Sequence, residues 1–301
     1  MTSTQKVIKY CSLAFAIFLI VSIISGIAGA VVGISELLDK SNHVSEDFSD
    51  LDINSDSKIL DIDLKSSSLT IKVGEVLKAE TNNKNINVKQ DNNRIYIKEK
   101  KNSWFTNGGD LIIYVPRDLI FDLVNIDTGA GKIEIDALIT NRLDFDLGAG
   151  RVNVNYLGVF QKGKISTGAG AFTINNGNMN NIDFDLGVGK IDITGSLLGS
   201  TKIYSGVWST NLKLIGSKDD YKIDVDKGLG SINVDGESLK DNTFYGNGVN
   251  TIDIDGGVGS ITINFNNETG DIFWYLFSYF IDNFVLSFYV VYFIFIIIYH
   301  Y

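Results

Sequence analysis

Between residues 124 and 265, apolar and polar positions alternate on both sides of a recurring Gly-x-Gly step. The phrase reads IDTGAGKIEID, FDLGAGRVNVN, ISTGAGAFTIN, FDLGVGKIDIT, VDKGLGSINVD and IDGGVGSITIN. Its glycine pairs are Gly129/Gly131, Gly148/Gly150, Gly168/Gly170, Gly187/Gly189, Gly228/Gly230 and Gly257/Gly259. The first four leading glycines are 19, 20 and 19 residues apart. Gly206 follows after another 19, with Trp208 standing where the second glycine would be. The last two steps are 22 and 29 residues, which places insertions late in the series.

Counted from the leading glycine, positions −3, +4 and +6 are apolar in almost every phrase. Ile126, Ile133 and Ile135 fill them in the first, and Phe184, Ile191 and Ile193 in the fourth. A period of two on each side of a glycine step predicts strand, tight corner, strand. A fixed period near 20 is the mark of a stacked-repeat architecture. Stacking equivalent strands in parallel gives a β-solenoid. The predicted fold class is therefore all-β: a single-domain parallel β-solenoid, β-helix or β-roll, with an N-terminal transmembrane helix and a candidate C-terminal one.

Outward positions have their own order. Position −4 carries Asn125, Asp144, Lys164, Asp183, Lys202, Asp224 and Asp253. Position −2 carries Asp127, Asp146, Ser166, Asp185, Tyr204, Asp226 and Asp255. Basic residues at +3 (Lys132, Arg151, Lys190) accompany aspartate at −2 in three phrases, which predicts ion pairs across the corner. The plain reading is a solvated face; the sharper one is a row of carboxylates that takes cations or sugars.

Outside the repeat the pattern changes. Residues 1–9 are a short cytoplasmic tail with Lys6 and Lys9. Residues 10–35 carry no charge and are long enough to span a bilayer. Lysines before this segment and acids after it put the repeat outside the cell. Ala28-Gly29-Ala30 also fits a signal-peptidase site, so the same segment reads as a signal peptide. Its small residues, Gly29 and Gly33 among them, would allow a helix–helix dimer. Residues 36–57 read as an acidic linker and 58–123 as irregular first coils that cap the 124–265 solenoid. Within 100–109 a loop shows Trp104 and Phe105. The tail, 266–301, is long, aromatic and apolar, with Asp282 as the only formal charge from Ile272 onward. It reads as a second membrane segment, an extended or frameshifted reading frame, or a hydrophobic cap.

The net charge of −10 argues against nucleic-acid partners and anionic lipid faces. The single cysteine, Cys11, lies inside the first apolar segment, so the repeat has no disulfide and no cysteine metal site. That suits the outside of a Gram-positive cell. His43 and His300 flank the repeat without entering it, which removes a histidine triad or histidine metal site from it. Carboxylate pairs such as Asp144/Asp146 and Asp183/Asp185 recur in coil after coil. A glycosidase needs one local pair, and an active site should break periodicity rather than follow it. No cofactor is expected, and no enzyme; a polysaccharide-acting one is the weakest alternative. Periodicity does break at Tyr204, Trp208 and Tyr221, which makes these the candidate ligand-binding residues.

The phrase (I/F)-D-x-G-A-G-x-I-x-I, with DLIIYVPRDL as lead-in and YGNGVNTIDIDGGVGSITINF as closing stretch, resembles the putative-adhesin family of bacterial β-strand-repeat domains of unknown function. The resemblance covers about residues 58–265 and implies surface adhesion, with no catalytic residues to carry over. It also brings an alternative, an accessory or regulatory membrane protein in envelope-stress signalling. The expected product is a cell-membrane protein with its repeat domain extracellular. Its partners would be the lipid bilayer and a cell-surface or envelope protein or glycan ligand.

Overall fold

The computed structural model describes residues 47–100, 108–240 and 243–266. These residues are nearly all β, and no helix among them is long and apolar enough to cross a membrane. The two segments expected to span, 10–35 and the tail beyond Asn266, lie outside the described residues, as do residues 1–9 and the loop bearing Trp104 and Phe105.

Among the described residues, fifteen strands follow one another. They are β1 (Ser49–Leu51), β2 (Ile59–Leu64), β3 (Ser68–Gly74), β4 (Lys78–Thr81), β5 (Ile86–Asp91), β6 (Arg94–Glu99), β7 (Asp110–Pro116) and β8 (Leu123–Ile174). After them come β9 (Gly177–Asn180), β10 (Ile182–Leu198), β11 (Ser200–Ile215), β12 (Tyr221–Val234), β13 (Glu237–Ser238), β14 (Thr243–Tyr245) and β15 (Asn250–Asn266). β8 runs without a break through the first three phrases. β10, β11, β12 and β15 each carry one more, so strand pairing continues through the glycine corners.

Equivalent positions pair in parallel, one repeat apart. Phe184 faces Ile165 on one side and Ile203 on the other, and Ile191 faces Phe172 and Thr210. This register puts the −3, +4 and +6 side chains in one continuous core. Ile126, Phe145, Ile165, Phe184, Ile203, Ile254 and Val225 are all buried. Alternation within each arm is what makes the register specific, because a one-residue slip would turn this whole set outward.

The corners explain the glycines. A Cβ on Gly148 would stand 2.1 Å from the carbonyl oxygen of Gly129, and one on Gly187 would stand 2.1 Å from that of Gly168. The same approach recurs from Gly206 to Gly187, Gly257 to Gly206, and Gly228 to Gly257. At the second position Gly170 and Gly189 have φ of 140° and 147°, a conformation that side chains rarely adopt.

Two features differ from an all-parallel stack in chain order. The strand order along the sheet ends β10-β11-β15-β12-β13, so the seventh phrase sits between the fifth and the sixth. The 22- and 29-residue steps supply the chain needed to step out one coil and come back. The sheet is also mixed, because antiparallel strands close both ends. β14 and β13 lie against β12, while β5 lies against β6 and β4 against β7. These short pieces blunt edges that would otherwise offer free ladder groups. Part of the segment read as an acidic linker joins them: β1 pairs with β4, with Asp50 opposite Glu80. Residues 59–74 form a coil of their own, with Lys65-Ser66-Ser67 at the corner, on which the first glycine phrase stacks.

Candidate functional site

The outer face of the first arms forms a ladder of polar side chains, because outward residues fall at −4 and −2 in every coil. Over the first five coils this face holds a groove of about 510 Å³. In stacking order it is lined by Tyr96 and Lys98, then Asp61 and Asp63, Asn125 and Asp127, Asp144 and Asp146, and Lys164 and Ser166. Adjacent coils in such a stack are about 4.8 Å apart. The groove thus carries five carboxylates between a lysine at each end, with one aromatic ring at the rim.

The first coils hold their carboxylates tightly. Arg94 reaches Asp61 at 3.2 Å, and the Asn125 side-chain amide donates to the same carboxylate. Lys98 reaches Asp63 at 2.7 Å, and Lys65 donates to it as well. Burial pushes the Asp63 carboxyl up, but the hydrogen bonds from Lys65 and Lys98 outweigh it and hold it below the ordinary carboxylate range. Asp63 is thereby shifted away from service as a general acid, which would need the opposite shift. The Arg94 guanidinium also lies over the Tyr96 ring, 5.5 Å from its centre. Among the described residues no group of three or more His, Cys, Asp and Glu side chains is arranged to hold a metal ion.

Glu99 closes the corner of the glycine-free coil from behind. Its carboxylate accepts the backbone N–H groups of Lys65 at 2.7 Å, Ser66 at 2.9 Å and Ser67 at 3.1 Å. The Asn83 amide donates to its other oxygen at 3.1 Å. Burial raises the Glu99 pKa, but these backbone donors outweigh it and the net shift is downward. Where the later corners use glycine, this one uses a buried anion.

The residues singled out from the sequence do not converge. Trp208 is 3% exposed, with its side chain turned into the stack between Thr167, Gly170 and Phe172 on one flank and Gly230 and Gly259 on the other. It fills the inside of a corner, leaving gaps of about 20 Å³ and 10 Å³ beside it. Tyr221 is buried too; its ring lies 5.5 Å from Phe265 and its hydroxyl donates to the Ile215 carbonyl. Only Tyr204 is exposed, opposite Asp185 and Asp255 on the aspartate face. The glycine pairs all stand at corners and line no polar site. Two of the three bases predicted to pair across the corner, Lys132 and Lys190, form pairs along the second arm. Lys132 binds Glu134 at 3.3 Å and Lys190 binds Asp192 at 2.7 Å. Residues at i and i+2 on one strand share a face, whereas the corner turns the two arms apart.

Sequence reasoning missed the groove itself. Asp61 and Asp63 form an i, i+2 pair in ILDIDL, but nothing in the linear order places β6, with Tyr96 and Lys98, beside them. It also missed the neighbourhood of Asp253 with Asp224 and of Asp255 with Asp226, which follows from the inserted seventh phrase.

No protein-family model matches the chain, and no curated protein matches it. Among solved structures it is similar to a putative cell adhesion protein from Clostridium sporogenes, at 18% identity and a TM-score of 0.32, covering 73% of this chain and 98% of that one. It is similar to a putative adhesin from Bacteroides fragilis, at 13% identity and a TM-score of 0.40, again covering 73% and 98%. A putative lipid binding protein from Parabacteroides distasonis matches at 11% identity and a TM-score of 0.27, covering 73% and 96%. Overlap at these scores assigns no activity.

Proposed function

We propose that this chain is a membrane-anchored β-solenoid outside a bacterial cell, and that it works as a non-enzymatic binding or adhesion scaffold. The observation that carries the reading is the 510 Å³ groove on the aspartate face, set on a rigid stack. Its volume is in the range of ligand sites. Two of its five carboxylates, Asp61 and Asp63, are held by ion pairs with Arg94 and Lys98. The uncharged segment 10–35 supplies the anchor, and the charge asymmetry around it supports an outside location.

The test uses the whole chain on cells. External protease should remove the repeat domain from intact cells. Adhesion of those cells to a surface-glycan and surface-protein panel should fall at least several-fold when Asp127, Asp144 and Asp146 are changed together to Asn. Protease resistance that persists until the cells are opened would place the domain inside and end the reading.

A further inference from the structure

We infer that the groove on the aspartate face takes a neutral carbohydrate chain, laid along the stack between two exposed tyrosines. The inference rests on the binding-scaffold reading and names the ligand class of the same groove. It starts from the charge balance. The groove holds five aspartates, with Lys98 and Lys164 in the same wall. Arg94 binds Asp61 at 3.2 Å, and Lys65 joins Lys98 on Asp63. Five carboxylates therefore stand among four cations, one charge short of balance. So small a local net charge pulls only weakly on an ionic ligand of either sign.

What the groove offers is hydrogen-bond acceptors held in place. An ionised carboxylate has about four acceptor positions. Arg94 and the Asn125 amide occupy two on Asp61, and Lys65 and Lys98 occupy two on Asp63. About two remain on each. Hydroxyl groups can donate to them without bringing charge, and a hydrogen bond to an ionised acceptor is about twice as strong as one between neutral groups. Lys164 and Ser166, at the far end, add donors. An apolar ligand would instead strip these groups of water and give them nothing in return.

The aromatic rings set the direction. Tyr96 is 37% exposed in the first coil of the groove. Arg94 steadies it, with the guanidinium over the ring and an N–H donated to the hydroxyl at 3.3 Å. Tyr204 is 45% exposed on the same face, two coils past Ser166 by way of Asp185. Six strand spacings separate the coils of the two rings. At about 4.8 Å each this is about 29 Å. An exposed tyrosine ring packs against the C–H face of a sugar and leaves the hydroxyl edge to the carboxylates. A single sugar reaches one ring, whereas a chain reaches both.

The experiment is titration calorimetry on the full chain in phosphatidylcholine nanodiscs, free of sugar detergents. The probes are cellohexaose and the hexamer of N-acetylglucosamine, each with its own disaccharide, and spermine as the cation. The expected result is that at least one hexamer binds several-fold more tightly than its disaccharide and than spermine. Tyr96→Ala and Tyr204→Ala should each weaken that binding several-fold. Tyr96→Phe should retain it, which separates loss of the ring from loss of the fold. No binding of either hexamer would overturn the inference. So would spermine binding more tightly than both, or hexamer binding that both alanine variants leave unchanged. If the hexamers fail while the triple change of Asp127, Asp144 and Asp146 to Asn still lowers cell adhesion to deglycosylated surface protein, the carbohydrate falls and the scaffold reading stands. If that adhesion is absent as well, both fall.

Discussion

The carbonyl oxygen of Gly150 lies 1.8 Å from the point that a Cβ on Gly170 would occupy. These two coils can touch at the corner only while position 170 lacks a side chain. Gly170→Ala therefore has to push the coils apart or abandon its φ of 140°. Backbone in such a region costs a side-chain residue about 1–3 kcal/mol before the clash is counted. The variant should lose at least about 3 kcal/mol in urea unfolding or fail to fold. Gly236 is the control, since it has nothing within 4 Å of its Cβ direction. Gly236→Asn should change stability by less than about 1 kcal/mol, because Asn tolerates a φ of 84°.

How far the fold can be read from the chain follows from the same contact. Period-two alternation around Gly129, Gly148, Gly168 and Gly187 predicts the arms, the corners and the parallel register, and all of these are found. The order of the last coils is not legible, because the phrases at Gly228 and Gly257 are equivalent in pattern and either would stack on Gly206. The order is instead reflected in contacts from outside the repeat pattern, such as those of Tyr221 and Tyr245 on Phe265. The groove is half legible: Asp127, Asp144 and Asp146 follow the repeat, while Tyr96 and Lys98 reach it by tertiary placement alone.

Trp208 stands where its neighbours have glycine, and a consensus argument would replace it. The structure argues the other way. Its side chain is buried among Thr167, Phe172 and Ile261, so Trp208→Gly would empty a large volume inside the corner. Truncating a buried tryptophan costs about 3–5 kcal/mol. A drop of at least 2 kcal/mol is expected by thermal or urea unfolding. A gain in stability would show that the corner prefers glycine even here.

Asp253 lies between Lys202 on β11 and Asp224 on β12. Like charges directly opposite in a sheet repel by a few tenths of a kcal/mol. Asp224→Asn should therefore stabilise the chain slightly, by about 0.3–0.5 kcal/mol at low salt. The gain should shrink toward zero at about 1 M salt, where the screening length falls to about 3 Å. A gain that ignores salt would point to hydrogen bonding rather than charge.

Glu99 predicts a pH dependence whose sign follows from its environment. The folded chain holds its carboxylate with the N–H groups of Lys65, Ser66 and Ser67, so its pKa is lower folded than unfolded. Such a group stabilises the fold fully above its unfolded pKa, and the contribution fades as pH falls through the folded value. Glu99→Gln keeps the shape but removes the charge and turns one amide donor toward other donors. At pH 7 it should cost about 1–3 kcal/mol, the usual loss for a buried hydrogen-bonded charge. The gap between parent and variant should narrow as pH drops below the carboxylate range, because the parent is then protonated at the same site. Urea midpoints from pH 7 to pH 3 measure this. A gap that stays constant would mean that Glu99 acts through packing alone and that its charge does not hold the corner.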